Sequence, residues 1–402
     1  MTATIEAAAQ SLAASGWSPA RLARDPVNRP AIRDWLAAIG DGSPVYERDR
    51  VAPPAMVQVW TMPGLGPRQK DPLGVMSAVL DEAGYPSVVA TDCAQTYHRY
   101  LRDGEMLSVR SRLTGVTGPK RTALGEGWFV TTASVWEVAG EPVAEMTFRV
   151  LKYRPGTPAA APRAEPLRPA AGPDTAFFWA GIEAGELRIQ SCLECGALRH
   201  PPGPACPACG ALKPSYVVAA GTGTIHSYVV HHHPPLPGRR SPVTVALVDL
   251  DEGVRMVAEL RGMRPSIGAR VQAGFAGGLP VWRPVGVDLP SWELVVTPTV
   301  IISSALATRD FQDVHHDRDA AVRRGSRDIF LNILTTTGLV QRYVTDWAGP
   351  EVVLRGIDIR LGTPCFAYDT LTFTGQSRGA EVAVAGRTAA GEHVAGIVRV
   401  AS

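Results

Sequence analysis

The sequence predicts an α+β protein in which two antiparallel sheets, each wrapped on a helix, flank a cysteine-knuckle module and a small β-barrel. Three observations carry this. Two Pro-rich stretches interrupt the chain. The text outside them passes twice from helical apolar periodicity to alternating strands, and four of the six cysteines fall within 18 residues.

The length, 402 residues, exceeds the ~250–300 that one hydrophobic core supports, so several domains are expected. The first interruption, 155–174, is PGTPAAAPRAEPLRPAAGPD, rich in Pro and Ala, without apolar periodicity, and reads as a stiff linker. The second, 277–291, is GGLPVWRPVGVDLPS, with 281–291 taken as linker. The expected division is therefore 1–154, 175–214, 215–280 and 292–402. A formal charge of +2 gives no electrostatic footprint for nucleic acid. No run approaches the ~18 apolar residues of a membrane span. The N-terminal text carries Glu6 and lacks the basic-then-apolar order of a signal peptide, so a cytoplasmic protein is expected.

Block 1–154 opens with helical text. A short helix at 72–83, with Leu73, Val75, Met76, Val79 and Leu80 apolar, is ended by Gly84. Strands follow at 106–114, 127–138 and 143–151, with GVTGPK and AGEP as turns. Block 292–402 repeats the order. Ile329, Phe330, Ile333, Leu334, Val340, Val344 and Trp347 form a stripe near period 3.6, predicting a helix over 327–347. Strands at 352–361, 367–374, 381–386 and 395–401 complete a meander. A helix wrapped by such a sheet is the hot-dog arrangement, and the repeat is one of architecture rather than of residues.

Between them stands Cys192-Leu-Glu-Cys195, ten residues, then Cys206-Pro-Ala-Cys209. Each Cys-x-x-Cys turn puts two thiolates on one side of a knuckle, and two knuckles complete a tetrahedral Zn2+ site. Gly196 and Gly210 follow where tight turns favour glycine. A closed four-sulfur shell leaves no place for water, so the metal is expected to be structural; a pair of disulfides is the alternative, which a reducing compartment disfavours. Strands at 223–231, 243–250, 255–260 and 271–275 predict an OB-like barrel. His231, His232 and His233 precede PPLPG and read as an exposed loop, as do His226 and His200; Cys93 and Cys365 read as small core residues. Phe178-Trp-Ala-Gly181, Gly185-Glu-Leu187, Gln190-Ser-Cys192 and Leu198-Arg-His-Pro-Pro202 resemble the zinc-ribbon/OB accessory domains of thiolase-associated enzymes in acyl-CoA metabolism. That resemblance implies a docking platform for a thiolase-like aldolase.

The chemistry points to Asp310-Phe-Gln-Asp-Val-His315-His-Asp317. It resembles the signature of R-specific MaoC-like enoyl-CoA hydratases, an aspartate followed five residues later by a histidine. Asp310 and His315 take those places, with Gln312 and Asp313 where Asn and Pro are usual. The resemblance extends through ALATRDFQDVHHDRDAA, GSRDIFLNIL and GLVQRYVTDWAGP, closest to small hydratase subunits of steroid side-chain degradation. Hydration of an α,β-unsaturated thioester puts hydroxide on Cβ and a proton on Cα. A carboxylate and an imidazole sharing one water can manage both proton movements. The Asn332 backbone amide is the candidate oxyanion donor, and His316 a second candidate substrate contact; Asp317 reads as the N-cap of a short helix. A satisfied turn is the bland alternative for Asp310 and His315.

Block one lacks such a pair: around 28–35 there is no histidine. Val51-Ala-Pro-Pro54, Gln95-Thr-Tyr-His-Arg-Tyr100, Gly104-Glu105 and Lys120-Arg-Thr-Ala-Leu-Gly125 resemble the N-terminal domain of the large subunit of the same hydratases. The resemblance implies that block one shapes the acyl pocket without proton transfer, and His98 reads as packed. Blocks one and three are then expected to form a double hot-dog with one working site. The implied substrate is a steroid side-chain enoyl-CoA thioester with a three-carbon acyl end, and the implied assembly a homodimer. Two alternatives remain at this point: a hot-dog acyl-CoA thioesterase, and a non-catalytic docking protein for a thiolase.

Overall fold

The computed structural model describes residues 2–65, 70–156, 169–234, 236–237, 239, 242–262 and 265–401. Its chain divides into two compact units, 1–160 with 288–402, and 161–287. Most of the expected first linker, at 157–168, lies outside the described residues.

Block one contains helix α1 (Thr2–Ala14), the two-residue strand β1 (Arg21–Leu22), helices α2 (Arg29–Ile39), α3 (Val45–Arg48) and α4 (Pro72–Glu82), then β2 (Ser87–Tyr97), β3 (Leu107–Thr122), β4 (Gly125–Val138) and β5 (Glu141–Pro155). Asn28 and Asp71 cap α2 and α4, each accepting a backbone N–H three residues on, with Pro inside the first turn of each helix. Of the apolar residues expected on α4, Met76 and Leu80 are buried, whereas Val75 is exposed. The expected turn GVTGPK is instead strand. β3 runs through it with register shifts at Leu113/Gly115 and Thr117/Lys120, because bulges absorb the residues that break alternation.

The middle unit contains α5 (Ala176–Ala184), β6 (Arg188–Cys192), β7 (Leu198–Arg199) and β8 (Pro214–Val218), then β9 (Thr222–His231), β10 (Val243–Leu250), β11 (Arg255–Leu260), β12 (Arg270–Ala276) and β13 (Leu279–Pro284). The last five close a barrel in the order β10-β11-β13-β12-β9 around Ile225, Val248, Met256, Leu260, Val271 and Trp282. The division between the two units falls at 287/288, inside the stretch 281–291 expected as linker, but most of that stretch is strand. β13 pairs with β12 along its length and closes the barrel on β11, and the next strand begins at Val287.

Block three comprises β14 (Val287–Val295), α6 (Pro298–Ala307), α7 (Arg318–Arg323), α8 (Ile333–Ala348), β15 (Leu354–Leu361), β16 (Thr370–Arg378), β17 (Glu381–Thr388) and β18 (Gly391–Val400). Every residue of α8 from Ile333 to Thr345 except Arg342 is buried. The helix starts six residues later than its stripe predicts. Ile329, Phe330 and Leu331 are apolar because they are covered, but their backbones bond Ala367, Val314 and Cys365 as extended chain. Residues 92–96 of β2 pair with 356–360 of β15, so both blocks share one ten-stranded sheet, β1-β3-β4-β5-β2-β15-β18-β17-β16-β14. Among the described residues no helix is long and apolar enough to cross a membrane.

Candidate active site

Asp310 is placed by the end of α6. The Asp310 N–H donates to Ala305 O (3.0 Å) and the Arg309 N–H to Leu306 O (3.0 Å), with Arg309 at φ 56. This is a Schellman closure with an arginine where glycine is usual, a left-handed conformation held immediately before the carboxylate. His315 ends a 3-10 turn at Asp313–His315. Its Nδ1 donates to the Phe330 carbonyl (2.8 Å), and the Phe330 ring meets the imidazole edge-on with centroids 4.9 Å apart. That bond places the proton on Nδ1 and leaves a lone pair on Nε2. Nε2 faces Asp310 Oδ2 at 3.7 Å, and both side chains are 7% exposed. Two acceptors so opposed are satisfied together by a molecule that donates one hydrogen to each.

The pair lines a cavity of about 710 Å3 whose walls come from both blocks of this unit. Phe311, Val314, Phe330, Leu331 and Leu334 form the near wall. Block one supplies Leu73 and Ser77 of α4 and the inward row Met146, Phe148, Val150 of β5. Asn332 is the N-cap of α8 and uses both the oxygen and the nitrogen of its side chain. Oδ1 accepts the Thr335 N–H (2.7 Å) and Nδ2 donates to Thr308 Oγ1 (2.8 Å). It ties the end of α6, and so Asp310, to the start of α8. His316 is a correction to the sequence reading. It is not among the cavity-lining residues, and its Nε2 donates to Phe311 O (3.1 Å), closing the loop behind the pair. Asp317 caps α7 through Ala320 N (2.9 Å) as expected.

The sulfurs of Cys192, Cys195, Cys206 and Cys209 all lie within 4.8 Å of one another. Gly196 (φ 73) and Gly210 (φ 74) turn the knuckles. The backbone amides of Cys209 and Ala208 pull the Cys206 thiol down to about 6. At Cys209 the Ala211 amide acts the same way, but the crowding thiols of Cys195 and Cys192 outweigh it and push the group up to about 12. Four acids this close become thiolates together only around a cation, so the donor set fits a tetrahedral metal.

Comparison with known proteins places these pieces. Residues 13–146 match the FAS1-like dehydratase domain region, 179–215 the ChsH2 rubredoxin-like zinc ribbon domain, and 216–276 the ChsH2 C-terminal OB-fold domain. A 3-oxo-4,17-pregnadiene-20-carboxyl-CoA hydratase alpha subunit of Mycobacterium tuberculosis is 51% identical over 307 residues, spanning 72% of this chain and 96% of the relative. The chain belongs to the MaoC-like acyl-CoA hydratase family. The beta subunit of the same name from that organism is 58% identical over 119 residues, 28% of this chain and 92% of the relative. The two shares are those of both subunits joined end to end. A MaoC-like dehydratase from Phytophthora capsici shares the fold, with a TM-score of 0.52 at 13% identity over 96% of this chain and 95% of its own.

Several contacts around the pair and the cavity were not read from the sequence. Gln312 takes the place usual for Asn, and its Nε2 approaches Asp310 Oδ1 (3.5 Å). Thr308 gives no signal until Asn332 is seen to bond it. Lys152 falls in phase with Met146, Phe148 and Val150, a strand alternation that was there to be read as inward-facing. His98 is half-exposed and pairs with Glu145 (3.1 Å) instead of packing. His226 pairs with Asp249, and His231 ends β9 and bonds Pro234 O. Cys93 and Cys365 are buried core residues as expected.

Proposed function

We propose that the chain hydrates an α,β-unsaturated acyl-CoA in the cavity, with Asp310 and His315 holding the attacking water between them. The opposition of Asp310 Oδ2 and His315 Nε2 at 3.7 Å, with Nδ1 already committed to Phe330 O, carries the reading. As the water oxygen bonds Cβ, its proton passes to the pair and the π electrons move onto the thioester as an enolate. Cα then takes a proton from the pair, leaving the side chains as they began. The first-turn amides of α8, from Asn332 through Leu334, border the cavity at the positive end of the helix and are the donors for the enolate oxygen. This keeps the Asn332 amide and adds its neighbours.

The relatives' names support a steroid enoyl-CoA as substrate, with a three-carbon acyl end, and a cavity of 710 Å3 suits so bulky a group. The β-hydroxyacyl-CoA formed is chemically ready for retro-aldol cleavage. We assign the zinc-ribbon/OB unit, with one structural Zn2+ on its four cysteines, to docking a thiolase-like aldolase, and the assembly to a cytoplasmic homodimer. Asp310→Asn and His315→Ala are each expected to lower turnover by ~10²–10⁴-fold with the fold intact. Wild-type turnover in either variant, or release of free thiol without loss of enoyl absorbance, overturns the assignment.

A further inference from the structure

Lys152 is the lysine that lines the cavity, and it stands in an otherwise apolar row. Along β5 the inward positions are Met146, Phe148, Val150 and then Lys152. Met146 lies opposite Ser134 of β4, two residues from Trp136, whose indole N–H donates to Thr61. The Asp310 loop meets that same stretch, since the Phe311 ring and the Arg309 guanidinium lie against Gly64. Lys152 stands six residues further along β5, ~20 Å at the strand rise. The Lys152 side chain is 3% exposed, bonded to Asp81 near the C-terminus of α4 and to Pro86 O (3.2 Å). Asp81, Lys152 and Ser77 all line the cavity.

Such a pair needs a reason. Lys152 is buried and Asp81 half-buried, and an ion pair taken out of water in this way is often matched or bettered in stability by well-packed apolar residues, so packing alone does not call for a lysine in this row. An ammonium has three N–H donors, and two are used by Asp81 and Pro86. The third remains for an acceptor in the cavity.

Resting on the reading of this cavity as the acyl pocket, we propose that Lys152, held by Asp81, is a recognition site for a carbonyl oxygen on the ring of the acyl group farthest from the thioester. The curated relatives are named for a 3-oxo acyl group whose carbon 3 lies at the opposite end of the ring system from carbon 17. An acyl group with its double bond at the Asp310/His315 end would carry such an oxygen toward Lys152. Loss of a hydrogen bond to a charged donor is worth roughly 10–100-fold in affinity.

Binding tests this without requiring turnover. Calorimetry would compare two saturated, unreactive steroid acyl-CoA thioesters, one with the distal ring ketone and one without it. The wild-type full-length protein is expected to bind the ketone at least roughly tenfold more tightly. Lys152→Met is expected to bind both alike. The double variant Lys152→Met with Asp81→Asn removes both charges and serves if the single variant does not fold. A ketone preference that survives in the variants, or none in the wild type, overturns the proposal. Absence of hydration by the wild type refutes the hydratase reading separately and leaves this comparison decisive.

Discussion

Replacing Asn332 separates the two things its side chain does. Asn332→Ala removes the N-cap of α8, about 1 kcal/mol, and the buried bond to Thr308, about 1 kcal/mol more. In a unit of this size about 2 kcal/mol lowers the melting temperature by roughly 3–4 °C. Asn332→Ser keeps a capping oxygen but is too short to reach Thr308, so about half the shift is expected. Both variants free the end of α6 that holds Asp310, and both should lower turnover by ~10–100-fold through misplacement of the carboxylate. Circular dichroism melting and loss of enoyl absorbance read the two effects. Full turnover in both variants would show that Asp310 does not depend on the tie between α6 and α8.

Three further outcomes follow from other parts of the chain. Purified protein should carry about one zinc per chain, and Cys206→Ser should lose it while circular dichroism reports a changed ribbon; full metal content in the variant would refute the four-thiolate site. The Gln341 side chain accepts from Ala55 N (3.0 Å) and donates to Tyr46 Oη (3.0 Å), so Gln341→Leu strands buried groups of block one and should cost ~2–4 kcal/mol in urea denaturation; a neutral result would refute this bridge. Burial lowers the His393 pKa, against the raising effects of Thr363 O and Asp369. The unfolded chain therefore takes up its proton first as pH falls. This contribution to stability is full above ~6.5 and is lost progressively below it, and His393→Gln should flatten that slope. An unchanged slope would place the titration elsewhere.

What the sequence could reveal depended on how local the physics was. The cysteine knuckles are a short-range pattern whose spacing brings the four sulfurs together, whereas the Asp310/His315 pair was legible through its resemblance to the MaoC-like signature. The barrel strands β9 to β12 alternate and were legible as local patterns too. Segment 281–291 was not, because Pro280, Pro284 and Pro290 suggest a linker. β13 tolerates its prolines because it meets β11 only at Glu259 and Leu260, and β14 is an edge strand. The start of α8 was hidden because Ile329 to Leu331 continue the helical stripe while bonding as extended chain. His316 looked functional by adjacency, but a 3-10 turn sends neighbouring side chains to different sides. The far wall of the cavity depends on block one meeting block three through the β2–β15 pairing, a contact of residues about 260 apart that no local pattern announces.

A double-mutant cycle on a steroid enoyl-CoA bears most directly on whether one water is shared by two groups. Asp310→Asn, His315→Ala and the double variant would be compared in kcat/KM. If both groups act on the same molecule, removing either disables the other, and the double variant should fall no further than the weaker single one. Losses that multiply in the double variant would mean that the carboxylate and the imidazole work independently, contradicting the account.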